Sequence, residues 1–595
     1  MTWRDYRNAA LAAAAAVLLL TTCSPVGDGV IDLLRMGSGF TAKTLCSGLF
    51  VSHRTRHSMW YELGGGDNLL NFFFSSVTNT TAEQSVASSF LGLGFFSAKA
   101  RFRGVPLGCY VVDPARPPPP DFLPLTSAAG GVREPTPAPK PLPRELDPAI
   151  QELLAYEFSD AAFRANQTRA LVVVHRGVVV GEGYQTRLLG IGPDTRLLGW
   201  SMTKTVHALV VGAAMGESWG TAAAPSLGSG ENEDEGEDKG SSGHDSGPSA
   251  ASSPFSAGPR LSLDSPVELA DLDPAHLAQL LMTNGGKNVT FRDLLGMSDL
   301  LGMREVYSLG GDVPRMLFLE PDAASFAART RKRVLNSPAK CDRRTGGTFY
   351  PFGWYYSSGL SNVLAKEFRL RFSSTQAYYS FVMQDVLAKI GPSFVFETDA
   401  AGTFVASSFL YATAMDFARV GAVLLASGGD RGGESGPGPS PGGGLDGLAG
   451  PAAGGGGGLN LPHREFARHV QTPHPHSGGI YSSAASVWMN PSRVSLHAHN
   501  CALNHSPDRR ARFRWMAQTL PPDCLSMEGY QGQFVLVCPS LELVVVRLGL
   551  TRKGADHARA SDYEHSEEAG NGYSKSRLIG GIIERLGLVW SEPRT

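Results

Sequence analysis

Charge of one sign is scarce in this sequence. Its 53 Lys and Arg are balanced by 55 Asp and Glu, a formal charge of −2 at pH 7. That balance supplies no strong field for gripping nucleic acid or an anionic surface. Long apolar runs are also scarce. Residues 9–20 are uninterruptedly apolar, but a spanning helix needs about 20 such residues, so a multi-span membrane protein is disfavoured. Cysteine is sparse, with seven in 595 residues. No CxxC pair occurs and no His/Cys cluster has zinc spacing, so no metal site is expected. The local pairs His474/His476 and His497/His499 read as ordinary loop or strand histidines. Glycine and proline are not scarce: there are 70 and 39, about 18% of the chain against a usual roughly 12%. Such an excess collects in a few segments that resist packing. The 42% hydrophobic content leaves enough apolar sequence elsewhere for a large core.

Arg4 and Arg7 precede the apolar stretch. A short basic start followed by about 7–15 apolar residues fits a secretory signal or signal anchor over residues 1–23. Leu20-Thr21-Thr22-Cys23 also faintly resembles a bacterial lipoprotein cleavage box. The expected location is therefore secreted, periplasmic or membrane-anchored. Beyond Cys23 six cysteines remain, an even number compatible with disulfides in an exported chain. Chain proximity suggests Cys46–Cys109 and Cys501–Cys524. Four N-glycosylation sequons begin at Asn79, Asn166, Asn288 and Asn504, weak support for export in a eukaryotic pathway.

Three segments read as linkers or insertions. Residues 114–145 are proline-rich and should be extended. Residues 216–259 are rich in Gly and Ser, with an acidic block at 231–238, and residues 428–458 are rich in Gly and Pro. The last two read as disordered insertions at surface loops. What remains is a small accessory region at 39–113 and one large domain at 146–590. The large domain opens with a hairpin, 170–174 and 178–182 around His175-Arg176-Gly177, and closes with another, 533–537 and 543–548. Helical patterns lie between and after them, at 201–215, 291–295, 359–368, 412–425 and 574–586. Strands at both ends with helices between predict an α+β fold: an antiparallel sheet flanked by helices, with an inserted helical part.

The chemistry concentrates at Ser201-Met202-Thr203-Lys204, where strand-like sequence gives way to helix. Residues i and i+3 share a helix face. A serine hydroxyl becomes nucleophilic only when a neighbouring base takes its proton, and burial can make lysine such a base. The helix N-terminus favours the developing anion. A second SxxK, Ser337 to Lys340, contains Pro338 in a loop-like stretch and is rejected. Tyr356-Ser357-Ser358 leads into the next helix, and a tyrosine with a hydroxyl two residues on can shuttle protons. Tyr355 and Tyr481 are weaker alternatives to Tyr356. Glu397 and Asp399 read as loop-positioning groups, His207 as a helix-surface or supporting residue, and Trp200 as core or cleft lining.

These motifs resemble the serine hydrolases related to class C β-lactamases and penicillin-binding proteins, and most nearly their 6-aminohexanoate-dimer hydrolase and esterase-like branch. The likeness runs through Ser201-Met-Thr-Lys204, Thr290-Phe-Arg-Asp-Leu-Leu-Gly-Met-Ser298, Tyr356-Ser-Ser-Gly359, Glu397-Thr-Asp-Ala-Ala-Gly402 and Gly529-Tyr-Gln-Gly-Gln533, in the family's order. It implies a β-lactamase/transpeptidase-like fold. It makes Ser201 the nucleophile and Lys204 with Tyr356 the proton-transfer pair. Ser358 would bond Lys204 or substrate. An oxyanion hole would come from the Ser201 N–H and the strand near Gln533. The third motif departs from the family: Tyr530-Gln531-Gly532 stands where Lys-Thr-Gly or His-x-Gly is usual. A neutral phenol replaces the cation that would hold a substrate carboxylate. The expectation is a cofactor-free hydrolase of a small ester or amide, touching membrane only through its N-terminal segment. The alternatives are a catalytically idle surface or assembly protein and, less well supported, a true β-lactamase or D-alanyl peptidase.

Overall fold

The computed structural model describes residues 27–63, 69–92, 94, 96–123, 139–215, 261–270, 274, 288–298, 301, 303–308, 310–330, 354, 356–427, 464–474, 477, 479–490, 520–551 and 575–588. In chain order, helix α1 (Gly27–Cys46) leads to an antiparallel meander of β1 (Phe73–Asn79), β2 (Gln84–Phe90), β3 (Ala98–Phe102) and β4 (Cys109–Val111). Helix α2 (Pro148–Glu157) precedes β5 (Thr168–His175) and β6 (Val178–Tyr184). The short β7 (Leu197–Leu198) runs into α3 (Met202–Ala214). Next come α4 (Ser358–Arg369), β8 (Val395–Phe396), β9 (Leu410–Ala412) and α5 (Ala414–Ser427). The last elements are β10 (Trp488–Met489), β11 (Leu525–Gly529), β12 (Gln533–Cys538), β13 (Leu543–Gly549) and α6 (Lys575–Arg585).

The large sheet has the order β10-β11-β12-β13-β5-β6, antiparallel throughout. The two hairpins read from the sequence are both present. They meet mid-sheet, where β13 pairs with β5 and Leu543 lies opposite His175. The β5–β6 turn is Arg176-Gly177, both at positive φ (52° and 76°), the turn hand that matches strand twist. Successive side chains of a strand point to opposite faces. Leu171 and Val173 therefore join one core with Ile150 and Leu154 of α2 and Ile579 and Ile582 of α6. Val172 and Val174 join the other core with Val206 and Val210 of α3 and Phe417 of α5. A strand buried on both faces reads as an unbroken apolar run, which is why these strands were legible. Each such side chain contributes about 1.5–3 kcal/mol. Helix α5 presses so closely on the sheet that a Cβ on Gly421 would collide with Val544.

Several expectations are corrected. Cys46–Cys109 is formed, but Cys524 is bonded to Cys538, with Cα atoms 4.1 Å apart. Leu525 pairs with Val537 across β11 and β12, so the next residues outward, Cys524 and Cys538, are also opposite one another. Cys501 lies outside the described residues. The boundary read at 39 falls inside α1, and the N-terminal region packs on the large domain. Its Met36 and Leu107 belong to the main core, and the Phe40 ring meets Phe318 edge-on at 5.0 Å. The described ends of the proline-rich segment are docked too. Leu142 is buried, and Val179 N–H donates to the Pro143 carbonyl at 2.8 Å. Asn166 is buried, donating to Glu157 at 2.6 Å and accepting from Thr168 N–H at 3.0 Å, so that sequon is closed to glycosylation. Residues 1–23, 216–259, 428–458, Ser337 to Lys340, Tyr355, His476, His497, His499 and Asn504 lie outside the described residues.

Candidate active site

Ser201 sits at the turn from β7 into α3. The residue before it, Trp200, has φ 49°, a left-handed conformation that costs a bulky residue of order 1–3 kcal/mol. The turn is pinned from several sides. Gly199 N–H donates to the Leu410 carbonyl at 2.9 Å, and the Thr203 hydroxyl donates to the Trp200 carbonyl at 2.6 Å. Leu410 N–H in turn donates to Thr203 Oγ1 at 3.2 Å. Ser201 occupies the N-cap position of α3, yet its side chain makes no capping hydrogen bond. Its Oγ is instead 2.8 Å from Lys204 Nζ.

Lys204 is buried. Its Nζ reaches three oxygens: Ser201 Oγ, Ser358 Oγ at 3.1 Å and the Ser407 carbonyl at 3.3 Å. Loss of water pulls its pKa down to about 8, partly offset by the Glu305 carboxylate. About a tenth of it is then neutral at pH 7. The Ser407 carbonyl is aimed by Asn362 of α4, which accepts from Ser407 N–H at 3.1 Å and donates to Ser407 Oγ at 3.2 Å. Neither residue had a signal in the sequence, since buried amides and serines look like any others.

The Tyr356 motif divides its labour. Ser357 caps α4, accepting from Leu360 N–H, which leaves Ser358 as the first helical residue, turned to Lys204. Tyr356 presents its ring to the ammonium group, with Nζ 4.7 Å from the centroid, and stacks on Trp488 at 5.3 Å. Tyr481 meets the Tyr356 ring edge-on at 6.1 Å and is buried. The structure adds two residues that the sequence did not single out. Glu305 accepts from Ser358 N–H at 2.8 Å and from the Ser358 hydroxyl, and Tyr307 O–H donates to Glu305 at 2.6 Å. Residues 303–308 form no regular element, so no periodicity marked them.

Tyr530 lies at the mouth. Its ring stacks on Tyr307 at 5.3 Å and meets Trp200 edge-on at 5.7 Å. Gly529 packs against the Gly199 carbonyl, which places the end of β11 beside the Ser201 turn. Gly532 and Gln533 do not join the site. The Gln533 amide is bonded to both backbone groups of Gly549 on β13, accepting from its N–H at 2.9 Å. Gly532 has φ 83° in the β11–β12 turn, and its carbonyl accepts from Arg547 at 2.6 Å. Both positions serve the hairpin: Gln533 lies opposite Gly529, but its side chain is turned to Gly549 of β13.

The remaining singled-out residues are placed as follows. His207 is buried, not on the helix surface. Its ring lies against Phe368 and Phe396, and loss of water pulls its pKa down to about 3. Asp399 accepts from Ala401, Thr403 and Ala323 N–H groups and shapes its loop. Glu397 pairs with Lys43 of α1. His474 Nε2 is 3.5 Å from Ser298 Oγ.

No family model matches the chain, and no curated protein matches it by sequence. Solved structures similar to it include three from bacteria. A Bacillus anthracis protein described as a 6-aminohexanoate-dimer hydrolase is 16% identical, with TM-score 0.39, over 76% of this chain and 90% of that one. A penicillin-binding protein homologue from Caulobacter crescentus is 14% identical, with TM-score 0.40, over 74% and 99%. EstA from Arthrobacter nitroguajacolicus is 14% identical, with TM-score 0.37, over 74% and 98%. The chemical reading of the site rests on the distances around Ser201.

Proposed function

We propose that the protein is a serine hydrolase acting on a small ester or amide through an acyl-enzyme on Ser201. The observation that carries this is the 2.8 Å contact between Ser201 Oγ and the buried Lys204 Nζ. Neutral Lys204 takes the Ser201 proton as Oγ bonds to the substrate carbonyl carbon and the carbonyl electron pair moves onto oxygen. Collapse breaks the bond to the alcohol or amine, which leaves with the proton from Lys204, directly or through Tyr356. Water then attacks the acyl carbon, gives its proton to the same pair, and Ser201 leaves protonated. The oxyanion would be met by the Ser201 N–H and, given how Gly529 abuts Gly199, by the N–H of Tyr530 in place of one near Gln533. Such donors are usually the largest electrostatic contribution to acyl transfer.

The aromatic rim of Trp200, Tyr307 and Tyr530 suits an apolar ester or neutral amide better than a carboxylate-bearing β-lactam. Two disulfides support an exported location. Among the described residues no helix is long and apolar enough to cross a membrane. The test is labelling of the purified protein with a fluorophosphonate probe beside Ser201→Ala. Labelling that the substitution abolishes supports the acyl-enzyme. Folded wild type that fails to label would sink it and favour an idle surface or assembly protein.

A further inference from the structure

We propose that Glu305 is a positioning residue for the Ser201–Lys204 pair: it accepts the Ser358 hydroxyl hydrogen bond and so leaves the Lys204 lone pair aimed at Ser201. This rests on the hydrolase reading above and deepens it. A neutral lysine amine has two N–H bonds and one lone pair. Nζ has three oxygen neighbours, and one of them, the Ser407 carbonyl, can only accept. Which of the other two also accepts decides where the lone pair points. A serine hydroxyl both donates and accepts. If Ser358 donated to Nζ, the lone pair would be occupied and Ser201 would have no base.

Glu305 removes that ambiguity. Its carboxylate accepts from Ser358 N–H at 2.8 Å and from the Ser358 hydroxyl. With its single proton given to Glu305 rather than to the Tyr307 hydroxyl, which also lies within its reach, Ser358 accepts from Lys204 at 3.1 Å. The two amine hydrogens then go to Ser358 and Ser407, and the lone pair faces Ser201 Oγ at 2.8 Å. Tyr307 O–H donates to the same carboxylate at 2.6 Å, which fixes its plane. Its charge also favours the protonated form of Lys204 against burial. Among the described residues, the other titratable groups near Lys204 are three phenols and an imidazole. Tyr356 lies over Nζ, Tyr307 is bonded to Glu305, Tyr481 lies against Tyr356, and His207 on α3 is held neutral by burial. Glu305 is thus both the orienting acceptor and the charge that partly offsets the effect of burial on Lys204.

The experiment is the rate of fluorophosphonate labelling of the full chain against pH, for wild type, Glu305→Gln and Glu305→Asp. In wild type the rate rises with pH through the titration of Lys204. Glu305→Gln leaves one acceptor oxygen where the Ser358 N–H and hydroxyl use two, and sets an NH2 donor against the other. Its high-pH rate should fall roughly tenfold, the worth of one misdirected hydrogen bond, and its midpoint should move to lower pH because a negative charge is gone. Glu305→Asp keeps the charge but withdraws it, so its midpoint should stay near wild type while its high-pH rate falls. A folded Glu305→Gln with wild-type rate and midpoint would overturn the proposal, as would a midpoint that rises. If Glu305→Gln does not fold, Glu305→Asp with an unchanged high-pH rate overturns it alone. Wild type that labels while these variants match it removes the Glu305 role and leaves the hydrolase standing. Wild type that does not label removes both.

Discussion

Two buried lysines in this molecule have nearly the same neighbours and opposite chemistry. Lys43 of α1 and Lys204 of α3 are each 2% exposed. Each has a serine within hydrogen-bond reach, Ser47 at 3.2 Å and Ser201 at 2.8 Å. Each lies over an aromatic ring, Phe409 at 4.0 Å and Tyr356 at 4.7 Å. Each has a glutamate close by, and burial pulls both pKa values down. The difference is the order of the parts. Lys43 touches Glu397 directly, and Ser47 donates its proton to that carboxylate at 2.7 Å. Lys204 reaches Glu305 only through the Ser358 hydroxyl. In a direct pair the carboxylate works against burial to hold the lysine's proton, because losing it would strand a buried carboxylate. A lysine one hydroxyl away can lose its proton while the carboxylate keeps its bonds. The first arrangement is a joint between α1 and the loop after β8, and the second is the arrangement we propose as a base.

That comparison can be broken by experiment. Lys204→Met should lower the labelling rate by about a thousandfold, the range of a lost general base. A rate within a few-fold of wild type would make the two lysines equivalent. Lys43→Met should leave the labelling rate of folded protein near wild type and lower unfolding free energy by about 3–5 kcal/mol, since Glu397 is left buried and unpaired. Urea denaturation reads this, and adding Glu397→Gln should recover much of the loss. Unchanged stability would mean that the joint contributes nothing. The smallest effect is expected at Gln533→Ala. It frees two buried backbone groups of Gly549, costs about 1–3 kcal/mol and leaves labelling unchanged. A strong loss of labelling would return Gln533 to the site.

The sheet was legible because its strands are buried on both faces. Runs such as Leu171 to Val174 and Val544 to Val546 stay apolar without alternation, and Arg176-Gly177 supplies the turn between β5 and β6. Ser201, Lys204, Tyr356 and Ser358 were legible as spacings, because a helix turn places i and i+3 together. The acceptors that complete the site were not. Glu305 and Tyr307 come from an irregular loop, and the Ser407 carbonyl and Asn362 come from segments far apart in the chain. The resemblance puts Gln533 and Gly532 at the site through the third motif and the strand that follows it. Strand pairing keeps Gln533 opposite Gly529, but its amide is spent on Gly549 and the Gly532 carbonyl on Arg547. The disulfide was mispaired because distance along the chain ranked Cys501 with Cys524, whereas strand register put Cys538 opposite it.

Sequence by itself determined the local order of this protein: two hairpins, the helices between them, and a serine and lysine one helical turn apart. These depend on contacts between near neighbours, which composition and spacing encode. Only the tertiary structure decided that α1 belongs to the main core, that Cys524 meets Cys538, and that one buried lysine touches its carboxylate while the other is held a hydroxyl away. Those outcomes depend on which distant segments pack together. A shift of one hydrogen bond separates a direct ion pair at Lys43 from a lysine held one hydroxyl away from its carboxylate at Lys204, and no spacing along the chain records it.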